Sequence, residues 1–171
     1  MSITPSAVEL TGGPSLAAPR LHPPRHGLGG ILTGMSQENV ELVRRIYDAW
    51  LGGDDETLFS TYHREIRLNP DPEAWWVGVD EDYFGHDGFR RYLRAVYEAF
   101  EDYRPEIEQI IDAGEGRVLT LAVEHGRGRR SGARVRAAKT AHLWTLRDGK
   151  AVRLDLFMDR KRALEAAGLP E

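Results

Sequence analysis

Two histidines are the residues through which this chain could move protons. His125 follows Leu119, Leu121 and Val123 at alternate positions, and His142 precedes Trp144 and Leu146 in the same way. Each therefore continues what reads as the apolar face of a strand. An imidazole titrates near neutral pH, so one set in an apolar cavity can take up and release a proton. The plainer alternative is a histidine satisfied by a backbone carbonyl or a neighbouring hydroxyl. His142 is placed first as a catalytic candidate. His125 adjoins a glycine-rich turn with Gly126, Gly128 and Gly132, which puts it nearer a rim.

Carboxylates come next. Asp112, Asp155 and Asp159 could form acid–base pairs, but Asp112 precedes a turn and Asp159 follows a strand. Aspartates at such positions commonly cap backbone N–H groups. Asp155 stands two residues from Arg153, on the same face of a strand, and a local ion pair explains it. Structural use is the favoured reading of all three.

Aromatic side chains could line a pocket for a flat apolar ligand. Trp50, Trp76, Tyr83, Tyr97 and Trp144 are candidates, with Trp75 and Phe84 beside them. Core packing must account for several, and Tyr97 and Trp144 sit in apolar stripes. The Trp75–Trp76 pair lies in a loop and suits a lid or a subunit contact. The expected substrate-binding set is Trp76, Tyr83, Tyr97, His125, Trp144 and Leu156.

Other chemistries find little support. Arg127, Arg129, Arg130, Arg134, Arg136 and Lys139 form a basic cluster, yet no Phe, Tyr or Trp is interleaved with them. A nucleic-acid groove combines both, so a solvated hairpin is the better reading and an anionic partner the second. No HxH or HExxH spacing suggests a metal, and Gly126-Arg127-Gly128 lacks the strand–GxGxxG–helix setting of a dinucleotide site. No serine sits in a nucleophile elbow. The expectation is no cofactor, no metal and no nucleic acid.

The elements that must position these residues can be read from periodicity. Ser36 caps a helix whose Val40, Val43, Tyr47, Trp50 and Leu51 share one face, and Gly52-Gly53 ends it. Asp54 or Asp55 caps a short second helix. Glu65 to Asn69 is a short strand stopped by Pro70 and Pro72, and residues 70–85 form an aromatic loop. Asp87 opens a third helix with a stripe from Phe89 to Phe100, expected to end at Arg104-Pro105. Glu106 to Asp112, Arg117 to His125, Arg134 to Arg147 and Ala151 to Met158 read as strands. Asp148-Gly149 makes a two-residue hairpin turn between the last two. Helices first and antiparallel strands last indicate an α+β domain.

Composition sets bounds. The chain has 171 residues, no cysteine and a net charge of −4. One domain fits that length, and the charge gives no general drive toward nucleic acid or an anionic membrane. Absent cysteine suits a cytoplasmic location, and no apolar run approaches the roughly 20 residues of a membrane helix. Residues 1–34 contain five of the nine prolines and no lasting apolar period, and are expected to be a disordered extension. They form either a regulatory arm or the product of an upstream start, because Met-Ser-Gln-Glu-Asn at Met35 reads like a domain beginning. The domain is placed at 35–171.

Several segments in order resemble the SnoaL-like group of the nuclear transport factor 2-like superfamily. They are Ser36 to Trp50, Gly52-Gly53-Asp54, Gly85 to Leu93, Ile111 to Gly114, His142 through Lys150, and Asp159 to Leu169. The resemblance implies a cone-shaped bent antiparallel sheet with about three helices over its mouth, and a homodimer formed through the sheet's outer face. It also implies either a small apolar ligand with cofactor-independent isomerase, cyclase or hydrolase chemistry, a non-catalytic binder, or an interaction module. Catalytic members carry a working aspartate on the final strand. Counted from Gly149, that position falls on Leu156, with Asp155 next to it on the opposite face. A register shift of one would exchange them.

Overall fold

The computed structural model describes residues 34–74, 83–132 and 134–170. Trp75, Trp76 and the extension before Gly34 lie outside the described residues. Helices α1 (Gly34–Gly52), α2 (Asp55–Ser60), α3 (Gly85–Ala99) and α4 (Arg160–Ala167) accompany strands β1 (Tyr62–Asn69), β2 (Tyr83–Phe84), β3 (Phe100–Gly114), β4 (Arg117–Gly128), β5 (Arg134–Arg147) and β6 (Lys150–Phe157). The strands form one curved, unclosed sheet in the order β2-β1-β6-β5-β4-β3. All described pairings are antiparallel except β1 with β6. The fold is α+β, of the nuclear transport factor 2-like cone type.

Local chemistry explains most boundaries. Asp54 caps α2 by accepting from Thr57 N at 3.0 Å. Asp159 caps α4 by accepting from Lys161 N at 2.7 Å. At the β5–β6 turn Asp148 and Gly149 have φ of 51° and 69°, the positive pair that a two-residue hairpin of this hand requires. Helix α3 differs from the expectation at its end. It stops at Ala99, and Phe100 passes directly into β3, so Pro105 sits within a strand. It is tolerated because β3 lies at the sheet edge, where a missing N–H breaks no second ladder.

Helices α1, α2 and α3 cover one face of the sheet. Leu42, Val43, Ile46 and Tyr47 of α1 and Phe89, Tyr92 and Val96 of α3 meet Ile66, Val118, Trp144 and Leu154 there. Helix α4 covers part of the other face, packing Ala163 and Ala167 on Leu119, Ala141 and Leu143. Strands β4 and β5 are therefore buried on both sides where these layers overlap.

Candidate functional site

Cross-strand register decides which side chains enter the cone. His142 stands opposite Thr120 on β4 and Leu156 on β6, while Trp144 stands opposite Val118 and Leu154. Directly paired residues share a face, so these six side chains point together toward the helices. Ala122 faces Thr140, and Glu124 follows two residues later on the same face. Alternation sends Asp155 the other way. It accepts from Arg153 Nε at 2.7 Å and from Asn69 Nδ2 at 2.7 Å.

A buried chain of polar groups runs across this inner face. Trp144 Nε1 donates to Tyr47 Oη at 3.2 Å, and Tyr47 Oη lies 2.7 Å from His142 Nδ1. His142 Nε2 lies 3.3 Å from Glu124 Oε1, which also accepts from Thr140 Oγ1 at 2.8 Å. Tyr47, Glu124, Thr140, His142 and Trp144 are all buried. Burial pushes the Glu124 carboxyl up, but the hydrogen bond and charge of His142 and the hydroxyls of Thr140 and Tyr103 outweigh it. The carboxyl ends below the ordinary glutamate value. Burial drives the Tyr47 phenol well above its usual range, so it remains protonated at neutral pH.

The donor pattern follows. An ionised Glu124 only accepts, so His142 Nε2 carries a proton toward it. With a neutral ring, Nδ1 then accepts from the Tyr47 hydroxyl. With a charged ring, Nδ1 donates to that oxygen and the hydroxyl turns toward Thr120, its other polar neighbour. Both ring nitrogens are engaged in either state. Glu124 Oε2 is buried, and the Tyr103 hydroxyl is a further polar neighbour of this carboxyl.

His142 also forms part of a small cavity wall. Trp144, Leu154, Leu156 and Tyr62 join it from the sheet, and Trp50, Phe89, Tyr92 and Leu93 close the space from the helices. The enclosed volume is about 10 Å³, room for about one water. Trp50 and Leu93 also border an outer hollow of about 620 Å³ between α1, α2 and α3. A hydrogen bond of 2.8 Å from Trp50 Nε1 to Tyr97 Oη spans the mouth. A wider groove of about 910 Å³ lies elsewhere, beside Glu38, Glu41, Asp112 and Asp148. Water reaches those carboxylates, and no buried polar group converges there.

The structure brings together some of the expected residues and separates others. His142, Trp144 and Leu156 meet at the cavity. Tyr97 is 43% exposed and stands at the mouth. Tyr83 is buried against Tyr92 with ring centres 5.6 Å apart, and does not line this cavity. His125 points away from it, with Nε2 at 3.1 Å from Glu106 Oε2. The row Leu119, Leu121, Val123 and His125 is the outer face of β4, where α4 packs, not the inner one. Trp76 lies outside the described residues. Glu124 is the residue that sequence reasoning missed. The signal was present: Val118 to Val123 is apolar on both faces apart from Thr120, as in a strand covered twice, and a glutamate at its end is out of place on a surface reading.

The sequence profile of the SnoaL-like domain matches residues 43–154. The chain belongs to the SnoaL-like domain family. No curated protein matches it by sequence. Solved structures share the fold of this SnoaL-like domain at low identity. One is a protein from Jannaschia sp. CCS1 proposed to be a SnoaL-like polyketide cyclase: 20% identity and a TM-score of 0.65, over 84% of this chain and 100% of that one. Another is TerC co-crystallised with polyporic acid: 23% identity and a TM-score of 0.63, over 77% and 98%. A third, with a ketosteroid isomerase-like fold, comes from Catenulispora acidiphila and was solved with trimethylamine: 17% identity and a TM-score of 0.57, over 76% and 94%. In this SnoaL-like domain the inward position on the last strand is Leu156, and the neighbouring Asp155 faces outward.

Proposed function

We propose that this SnoaL-like domain binds a small, largely apolar molecule in its cone, with cofactor-independent acid–base chemistry from the His142–Glu124 pair. The reaction class would be isomerisation, cyclisation or hydrolysis. The single observation that carries the reading is the buried 3.3 Å contact between His142 Nε2 and Glu124 Oε1, with His142 set in an otherwise aromatic and aliphatic wall. A buried titratable pair of this kind is costly to keep without a use, although structural pairs also occur. The relative co-crystallised with polyporic acid supports a ligand of the same broad kind.

Admission of a ligand requires the walls at Trp50 and Leu93 to separate, joining the cavity to the outer hollow. Toluene is a suitable apolar probe. In an NMR titration the indole N–H signals of Trp50 and Trp144 should shift together and saturate, and His142→Ala should alter the affinity. Unmoved indole signals up to the solubility limit of toluene would sink the reading. The small closed volume favours a second reading, a non-catalytic interaction module, and that outcome would leave it standing.

A further inference from the structure

We propose that the outer hollow between α1, α2 and α3 is the second half of the ligand site, and that the Tyr97 hydroxyl there holds the acceptor oxygen of a neutral apolar ligand such as an aryl ketone. This rests on the reading of the cone as a small-molecule site. Volume sets the problem. The inner cavity beside His142 encloses about 10 Å³ and the hollow about 620 Å³, and Trp50 and Leu93 border both. A ligand that reaches His142 between these two side chains leaves most of its bulk in the hollow. The walls of the hollow therefore select it.

Helix α3 supplies one wall. Arg90, Leu93, Arg94 and Tyr97 follow one another at steps of three, one and three, which sets them on one helix face. Trp50 and Phe59 line the hollow from α1 and α2. The polar part carries two cations, Arg90 and Arg94, and two anions, Asp55 and Glu98. These formal charges balance, which suits a neutral ligand. Arg90 is further committed: its Nη1 lies 3.2 Å from Asp87 and its guanidinium carbon 4.1 Å from the centre of the Phe59 ring.

The Tyr97 hydroxyl is the directed group on these walls. Trp50 Nε1 lies 2.8 Å from Tyr97 Oη, and an indole N–H only donates. The phenol oxygen is therefore the acceptor and keeps its own proton to give. No acceptor among the described residues receives that proton. A hydroxyl that accepts one hydrogen bond donates a stronger one. Packing fixes the group, since the Tyr103 ring lies 6.4 Å from the Tyr97 ring, edge-on, and 6.2 Å from that of Trp50. A carbonyl oxygen needs one such donor and brings no proton that itself requires an acceptor. The matching ligand sets that oxygen on Tyr97 and its apolar body against Trp50 and Leu93.

The test compares acetophenone with α-methylstyrene, which share a shape and differ by carbonyl oxygen against methylene. Calorimetric titration of the full chain and of Tyr97→Phe gives the ratio of the two affinities for each protein, so solvation differences between the probes cancel. The preference for acetophenone should fall at least about threefold in Tyr97→Phe, while α-methylstyrene binding changes little. Tyr97 is 43% exposed, so the variant removes an oxygen without opening the core. The carbonyl carbon signal of bound acetophenone should move upfield in Tyr97→Phe and stay in place in His142→Ala. An unchanged ratio with α-methylstyrene still bound overturns this proposal alone. A carbonyl signal that moves in His142→Ala but not in Tyr97→Phe also overturns it, because the oxygen then lies inside the cone. Tighter binding of benzoate than of acetophenone overturns the choice of a neutral ligand. Binding of neither probe overturns the proposal together with the small-molecule reading.

Discussion

Glu124 links stability to pH in a definite direction. Its carboxyl in the folded chain lies below the ordinary glutamate value of 4.5, because the His142 bond and charge and the Thr140 and Tyr103 hydroxyls outweigh the opposing effect of burial. A depressed carboxyl binds protons less readily folded than unfolded. Its contribution is therefore present above the unfolded value and is lost as pH falls through the lower folded one. Urea unfolding of the full chain should weaken on acidification from about pH 5 toward pH 3. Glu124→Gln should be less stable near neutrality, with a shallower acid slope. Acid limbs of equal slope in the two proteins would show that the depression is not real. The same residue explains what was unreadable beforehand. His142 was legible because it continued the Trp144–Leu146 row. Glu124 stood out at the end of a run apolar on both faces, but its partner did not, because alternation alone cannot say which of two buried faces of β4 meets the helices.

Helix α3 and the short strand β2 show how tightly one element fixes the next. Gly88 lies in α3, and a Cβ placed there would stand 2.5 Å from the backbone carbon of Tyr83. Alanine is favoured over glycine in a helix interior by about 1 kcal/mol. Overpacking against backbone costs about 1–3 kcal/mol, because neither chain can move aside cheaply. The clash should win, and Gly88→Ala should melt at a lower temperature than the native chain. A raised melting temperature would mean that the β2–α3 connection is looser than its geometry indicates. The amphipathic stripe from Phe89 to Val96 was plain in the sequence. The approach of Tyr83 to Gly88 was not, because only the folded turn brings β2 back onto its own helix.

At the scale of the molecule, α4 changes the argument about association. A homodimer was expected partly because an open sheet leaves an apolar outer face. Leu119 and Leu143 on that face are buried within the single chain under Ala163 and Ala167. The large exposed apolar side chains among the described residues, Leu51, Phe84 and Tyr97, lie on helices α1 and α3 and on β2 instead. A chain ending at Asp159 should uncover the outer strip and gain mass in light scattering as concentration rises. Unchanged mass would show that the strip is covered by something other than α4. The homodimer expected from the resemblance needs a surface beyond this strip, and a monomer mass for the full chain at high concentration would end that expectation.

The sequence alone determined the first three helices, the order of the long strands, the β5–β6 turn and the SnoaL-like membership, because each depends on local periodicity, turn chemistry or ordered segments; it read β2 as loop and the first residues of β3 as helix. It also determined that His142 and Trp144 share a face, since two-residue spacing fixes that wherever a strand runs. Tertiary structure decided the rest. Only packing on both sides showed that Val118, Thr120, Ala122 and Glu124, rather than Leu119 and His125, form the inner row of β4. Only the approach of α1 to β5 placed Tyr47 on His142. The pairing of Glu124 with His142 joins side chains from two strands, and its meaning depends on burial that no single segment contains.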